Sequence, residues 1–382
     1  MKEKEKLRIG ITGQSGFIGT HLYNELGLYP EKYARIPFED DYFSRNELLY
    51  DFVKRCDIIV HLAAVNRYPD PVELYKINIQ LVNSVIDALN HENVKPHIIF
   101  SSSIHESLDN QYGKSKLEGR RLFEQWARKC DASFTGLIIP NVFGPFGLPN
   151  YNSFISTFCH KLTHDEEVEV INDNDVNLIY ISSLCHHIKA NIDNVVNSKC
   201  SLIEESIIYP DFTKKVSDIL ILLNTYKEQY YNQGIIPYFS NMNEINLFNT
   251  YRSYIDISRK YPILLKQNID ERGIFVETAR MGIGGQASFS ITKPGITRGN
   301  HYHTRKIERF TVISGKAKIQ LRRIGTEQVY DFYLDGKNPS FVDMPIWFTH
   351  NISNIGNDDL YTLFWINEWY DSSNPDTFFE KV

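Results

Sequence analysis

The sequence predicts two domains of different class: an α/β domain built on a parallel sheet over residues 1–255, then an all-β barrel or sandwich over residues 256–382. Two observations carry this. Up to about residue 140, short apolar β-rich runs alternate with helical patterns, and strand–helix alternation implies a parallel sheet covered by helices on both faces. After about residue 260 the segments become short and strand-like, separated by glycine, proline and asparagine turns, which is the pattern of a β-sandwich or barrel. A length of 382 residues with 42% hydrophobic content is enough for two cores.

In the first domain the expected strands are 7–12, 33–37, 57–62, 97–101 and 134–139, with helices over 71–91 and 111–130. From about 150 to 245 the pattern is mixed, with helical segments at 152–162 and 182–196, as in a lobe attached to the sheet. In the second domain the expected strands are 286–292, 310–314, 317–323, 329–334, 340–343 and 360–366.

The net charge of −6 offers no broad positive field and argues against nucleic acid as a partner. The five cysteines, Cys56, Cys130, Cys159, Cys185 and Cys200, are odd in number and contain no CxxC spacing. Free thiols in a reducing compartment fit better than a disulfide frame. The start, MKEKEK before LRIGITG, has too few apolar residues for a signal-peptide core and too many glutamates for a transit peptide. No run approaches the roughly 20 apolar residues that a membrane span requires. A cytoplasmic protein without membrane contact is the expectation.

The first strand runs into Gly13-Gln-Ser-Gly16-Phe17-Ile18-Gly19 and then a helix starting at about Gly16. Glycines permit a tight turn and close backbone approach, and the helix end offers unpaired N–H groups to a pyrophosphate. A glycine triplet alone is an ordinary turn; its position at the first strand–helix junction makes it an anion site. Two further segments follow, Asp57-Ile-Ile-Val-His61-Leu62-Ala63-Ala64 and Pro140-Asn141-Val-Phe-Gly. Together these resemble the extended branch of the short-chain dehydrogenase/reductase superfamily. The resemblance implies a Rossmann-type fold and an NAD(P) cofactor. It puts Asp57 to Ala64 beside the adenine and ribose, and Pro140 and Asn141 near the nicotinamide. Arg35, Glu39 and Asp40 stand near the end of the second strand, so both charges are present and NAD versus NADP is not decided there.

Ser101-Ser102-Ser103 ends the fourth strand, and Tyr112-Gly-Lys-Ser-Lys116 opens a helix. Residues i and i+4 share a helix face, so Tyr112 and Lys116 can enter one pocket. A nearby ammonium would lower the tyrosine pKa by favouring phenolate. The superfamily's serine, tyrosine and lysine roles fall on Ser103, Tyr112 and Lys116, with Ser102 as an alternative to Ser103. Tyr112 and Lys116 would also touch cofactor. The Ser103–Tyr112 interval is shorter than is usual in extended members, which implies an open pocket. Ile104 and His105 stand where 4,6-dehydratases carry acids, which argues against dehydration.

Gly299-Asn-His301-Tyr-His303-Thr-Arg-Lys-Ile-Glu308 is followed by Gly315 and, later, by Pro345-Ile-Trp-Phe-Thr-His350-Asn-Ile-Ser-Asn354. Histidines at i and i+2 on a strand point to one face. Three imidazoles and one carboxylate suit Zn²⁺, Fe²⁺, Mn²⁺ or Ni²⁺, with Zn²⁺ preferred. The spacing resembles both halves of the cupin motif, with Trp347 where the second half usually has glycine. Such a metal could act as a Lewis acid beside a keto group, or only hold the barrel together. Lys293, Tyr302 and Lys306 are candidate bases, with no choice among them.

Four longer stretches, SSSIHESLDNQYGKSKLEG, LPNYNSFISTFCHKL, SITKPGITRGNHYH and NEWYDSSNPDTFF, resemble one family across nearly the whole chain. It is the bifunctional capsular-polysaccharide enzyme family acting on UDP-2-acetamido-2,6-dideoxy-β-L-arabino-hexos-4-ulose, on the route to UDP-N-acetyl-L-fucosamine. The resemblance implies C3 epimerisation in the cupin domain, then NADPH-dependent reduction at C4 (NADH being possible), a substrate lobe from about residue 150, and a homodimer. Other readings are a reductase whose cupin only stabilises or dimerises, and an epimerase that retains its cofactor. A non-catalytic redox sensor is a third, disfavoured by the intact Ser103/Tyr112/Lys116 set.

Overall fold

The computed structural model describes residues 6–197 and 201–382. They form two compact units: the chain up to Phe154 together with Asn174–Lys215, and Ile155–Asp173 together with Val216–Val382. In chain order the first part runs β1 (Leu7–Thr12), α1 (Phe17–Gly27), β2 (Tyr33–Ile36), α2 (Asn46–Arg55), β3 (Ile58–His61), α3 (Pro71–Glu92), β4 (His97–Ser103), α4 (Gln111–Cys130), β5 (Phe134–Ile139), β6 (Asn141–Phe143), α5 (Phe154–Thr163), β7 (Asp175–Tyr180), α6 (Ile181–Asn197), β8 (Ile203–Ile207) and β9 (Phe212–Lys215).

The first unit holds a six-stranded parallel sheet in the order β2-β1-β3-β4-β5-β8. Every residue of β3 and β5 is buried, as expected where helices cover both faces. The aromatic residues Phe52, Phe100, Phe123 and Phe134 form the centre of one core cluster. Strand order reverses at β1 and β3, and in open α/β sheets ligands bind there, outside the carboxyl ends of the strands. Two caps aim the flanking helices. Asp70 accepts from Val72 N at 2.8 Å ahead of Pro71, and Asn110 accepts from Gly113 N at 2.8 Å. The second cap fixes the first turn of α4, which carries Tyr112. β4 runs to Ser103, two residues beyond the expected end, with Ser103 in register with Ile139.

The second unit continues with α7 (Val216–Tyr226), α8 (Met242–Arg252), α9 (Ile257–Lys260), β10 (Ile263–Leu264), β11 (Gln267–Asp270), β12 (Gly273–Val276), β13 (Gln286–Thr292), β14 (Thr297–Tyr302), β15 (Glu308–Ser314), β16 (Lys316–Arg323), β17 (Val329–Asp335), β18 (Ser340–Met344), β19 (Phe348–Asn354), β20 (Leu360–Ile366) and β21 (Phe378–Phe379). Two five-stranded sheets, β10-β18-β15-β20-β13 and β17-β16-β19-β14-β21, make the all-β part.

The expected boundary at 255/256 lies inside this second unit. The reason is polar satisfaction. Buried Arg252 of α8 donates to Met344 O at 2.9 Å, and Asn249 donates to Arg305 O at 3.0 Å. The helix therefore serves the barrel backbone. Cys56, Cys130, Cys159 and Cys185 are free, while Cys200 lies outside the described residues. Among the described residues, no helix is long and apolar enough to cross a membrane.

Candidate active site and metal centre

The glycine-rich turn is a cradle that side chains would fill. Gly13 has φ +68°, and a Cβ there would lie 2.9 Å from the Ala63 backbone. At Gly19 a Cβ would come within 2.2 Å of Gly13 O. Gly16 is the N-cap of α1 and has no side chain to satisfy the first N–H groups, so the N–H groups of Phe17, Ile18 and Gly19 begin an uncapped helix. A dinucleotide's pyrophosphate fits such a site. Leu62, Ala63 and Ala64 follow the carboxyl end of β3, with Leu62 N donating to Thr12 O at 3.2 Å. Pro140 and Asn141 follow the carboxyl end of β5, so both segments lie on the same sheet edge.

Two residues of the expected cofactor set lie elsewhere. Asp57 precedes β3, at the opposite end of the sheet, and pairs with Arg8 at 2.6 Å while accepting from Arg8 N at 2.8 Å. Four further residues at about 3.3 Å each separate it from the ligand edge. The His61 side chain is fully buried, bonded to Thr12 Oγ1 at 2.9 Å and stacked on Phe100. Burial drives its pKa down to about 3, so it is a neutral core imidazole. Within β2, Arg35 donates to Tyr23 O at 3.0 Å, whereas Asp40, beyond the strand, accepts from Ser15 of the glycine-rich turn at 2.7 Å.

Ser103, Tyr112 and Lys116 come together where β4 meets α4. Ser103 Oγ accepts from His105 N at 3.2 Å and lies close enough to act on the Tyr112 hydroxyl. The Lys116 ammonium donates to Ser101 O at 2.9 Å and sits 5.8 Å from the centre of the Tyr112 ring. Burial pushes the Tyr112 pKa up to about 12; the Ser103 hydroxyl opposes this and Tyr151 adds to it. The expected lowering by an ammonium is not present, because Lys116 is spent on a carbonyl and burial holds its own pKa down at about 8. The phenol is thereby kept protonated, the form a proton donor needs. Ser102 is engaged differently: it donates to Glu106 at 2.5 Å, and Glu106 pairs with Arg120 at 2.8 Å. That leaves Ser103 as the serine beside the tyrosine.

A cavity of about 610 Å³ opens over Tyr112, lined also by Arg67, Tyr68, Asn110, Gln111 and Tyr151. The short interval before α4 folds as a 3-10 turn over Ile104–Ser107, so little covers this cavity from that side. Tyr151 lies at the start of the expected substrate lobe. Its hydroxyl accepts from Asn66 N at 3.3 Å, tying the loop after β3 to the 147–151 turn, where Asn150 has φ +57°.

The second unit gathers His301, His303, Glu308 and His350, whose ligand atoms all lie within 4.8 Å of one another. The set is drawn from both sheets: His301 pairs directly with His350 across β14 and β19, while Glu308 opens β15. Glu308 Oε2 is 3.1 Å from both His303 Nε2 and His350 Nε2. The His350 contact lacks hydrogen-bond geometry, leaving a buried nitrogen unsatisfied 3.1 Å from the carboxylate. The His301 pKa is depressed to about 4 by burial and then by the other two imidazoles, so that ring is neutral, whereas Glu308 raises the pKa of His303 against the pull of burial. Three imidazoles, one of them with an orphaned nitrogen, and a carboxylate fit a divalent metal. Trp347 takes φ +62° and keeps the turn that glycine would make; it donates N–H to His303 O at 2.7 Å. Of the candidate bases, Lys293 is on the surface with Asp359, Tyr302 is stacked between Trp347 and Phe378, and buried Lys306 donates to Pro375 O at 2.5 Å.

A serine, tyrosine and lysine at the carboxyl edge of a doubly wound sheet define a reductase-type α/β enzyme fold, here joined to a cupin-type barrel with a ligand set. The chain belongs to the NAD dependent epimerase/dehydratase family, which matches residues 9–199; residues 268–378 match the polysaccharide biosynthesis C-terminal domain. It is 30% identical to UDP-2-acetamido-2,6-beta-L-arabino-hexul-4-ose reductase of Pseudomonas aeruginosa, over 97% of this chain and 98% of that one. It is also similar to the crystal structure of the capsular polysaccharide assembling protein CapF of Staphylococcus aureus. There the identity is 34% over 98% of this chain and 100% of that one, with a TM-score of 0.60.

Proposed function

We propose that this chain reduces the C4 keto group of a UDP-2-acetamido-2,6-dideoxy-hexos-4-ulose with NADPH, after C3 epimerisation in the C-terminal domain. The product would feed UDP-N-acetyl-L-fucosamine and surface polysaccharide synthesis. One observation carries the reading: Ser103, Tyr112 and Lys116 meet beneath a cavity wide enough for a sugar. The relative's printed activity over nearly the full length supports the substrate class. The functional modules are residues 1–255 and 256–382, the metal is Zn²⁺, and the protein is a cytoplasmic homodimer. Exposed Ile269, Ile274 and Phe275 on the β11–β12 hairpin support self-association; a monomer mass by light scattering would remove that part.

A reduced nicotinamide bound at the glycine-rich edge supplies hydride to C4. Ser103 holds the carbonyl oxygen, Tyr112 gives that oxygen its proton, and Lys116 keeps a positive charge beneath them. Gly13, Gly16 and Gly19 admit the pyrophosphate against bare backbone, with Phe17, Ile18, Leu62, Ala63, Ala64, Pro140 and Asn141 as neighbours. His301, His303, Glu308 and His350 would hold a divalent metal, which would supply Lewis acidity for the C3 epimerisation. Epimerisation must come first, because reduction removes the keto group that acidifies C3. Incubation with the UDP-linked 4-keto sugar and NADPH in D₂O tests the sequence. A reduced product with one non-exchangeable deuterium at C3 supports it, and no NADPH oxidation sinks the substrate assignment.

Lys116 sets an expected pH dependence. Its pKa near 8 means that the ammonium is lost above that pH, so kcat/KM should fall as pH rises through 8. Lys116→Arg should move that limb upward; an unchanged profile would remove Lys116 from the titration. Asp40 bears on cofactor choice, because a carboxylate bonded to the glycine-rich turn disfavours a 2′-phosphate. Asp40→Asn is expected to lower KM for NADPH about fivefold, the scale of about 1 kcal/mol for an exposed charge contact, with KM for NADH nearly unchanged. Equal changes for both cofactors would detach Asp40 from that choice.

A further inference from the structure

The stretch NEWYDSSNPDTFF (residues 367–379) takes no part in the chemistry above, yet its hydrogen bonds converge on the ligand-bearing segment 301–308. Asp376 is at the centre. It is 3% exposed and has φ +43°. Its Oδ1 accepts from Thr304 N at 3.0 Å and Thr304 Oγ1 at 2.7 Å. Its Oδ2 accepts from Arg305 N and Lys306 N, both at 3.1 Å. Three successive N–H groups and a hydroxyl thus wrap one carboxylate, a small anion nest within the protein. The Asp376 carbonyl accepts from His303 Nδ1 at 2.5 Å.

That last contact decides a tautomer. A carbonyl can only accept, so Nδ1 carries a hydrogen, and the proton that Nε2 shares with Glu308 at 3.1 Å is the one a metal would displace. The rest of the stretch reinforces the hold. Asn367 Oδ1 accepts from Ile307 N at 2.8 Å, Asn374 O and Glu368 bind Arg305, and Phe379 and Phe378 pair with His301 and Tyr302.

We infer that Asp376 is a positioning residue for the metal centre, and that residues 367–379 form a strap that sets the His303 tautomer and ring orientation before metal arrives. This rests on the metal reading of the four-residue site. The test is Co²⁺ binding by the full-length protein, with affinity measured by chelator competition and coordination by the visible d–d spectrum. Asp376→Asn and Asp376→Gly both tolerate the left-handed backbone, and His350→Ala serves as the ligand-loss control. The expected result is an affinity about 10- to 100-fold weaker in both Asp376 variants, with an altered Co²⁺ spectrum that excess metal does not restore. Wild-type affinity and an unchanged spectrum in both, alongside loss in His350→Ala, would overturn the positioning role alone. Absence of Co²⁺ uptake by the wild type would overturn the metal reading and the proposal with it.

Discussion

Tyr112→Phe is expected to lower kcat for ketone reduction by about 10²- to 10⁴-fold, the range for loss of a positioned acid, with cofactor affinity held within about twofold, an effect too small to reflect loss of a typical hydrogen bond. The reason is the selectivity of the change. The substitution removes only the hydroxyl near Ser103 and leaves the ring against Lys116 and the helix cap at Asn110. The phenol whose pKa burial raises to about 12 is the proton source for the carbonyl oxygen. Single-turnover kinetics with NADPH in excess separate the chemical step from binding. A variant that turns over at the wild-type rate would take the acid role away from Tyr112. Ser103→Ala should give a smaller loss, since it removes the group that holds the oxygen but not the proton. Ser102→Ala should do less still, because Ser102 faces Glu106.

The second large effect concerns the metal centre. His350→Ala should weaken divalent metal binding by more than the about 10- to 100-fold that an outer-shell change costs. Solvent deuterium at C3 should then disappear from the product. The side chain is fully buried, so nothing from solvent replaces the missing nitrogen beside Glu308. Hydride delivery depends on different residues, so a substrate already epimerised at C3 should still be reduced. Deuterium incorporation that survives both the substitution and exhaustive chelation would make the centre structural rather than catalytic.

Much of the fold was legible because its periodicities are local. The apolar runs at Leu7–Thr12 and Phe134–Ile139 and the amphipathic stretch Gln111–Cys130 have the expected bounds. β19 was not among the expected strands, and β14 was expected only as the strand carrying the two histidines. TRGNHY and FTHNISN are polar runs, and pairing across the barrel makes them strands. The sites divide along the same line. The spacing of Tyr112 and Lys116 on one helix survives in three dimensions, while His301 near the end of β14 and His303 just beyond it both reach the ligand set. Asp57 and His61 belong to a motif by sequence, but the motif spans a whole strand, whose two ends face opposite edges and whose side chains alternate between faces. Asp376 was invisible as a partner of His303, because 73 positions separate the two.

The chain passes between its two units at 154/155, 173/174 and 215/216, which has a consequence during synthesis. The first unit has all its residues once position 215 has left the ribosome. Residues 155–173 belong to the second unit and wait for its helices, Thr163 bonding Tyr254 O at 3.1 Å, 91 positions later. At roughly 5–20 residues per second that wait lasts on the order of 5–20 seconds. Helix α5 spends this interval with Ile155, Phe158, Cys159 and Leu162 lacking most of the surroundings that bury them in the finished protein. Slowing elongation downstream of codon 215 should therefore raise chaperone capture of the nascent chain, and adding polar residues at these four positions should cost yield before it costs activity.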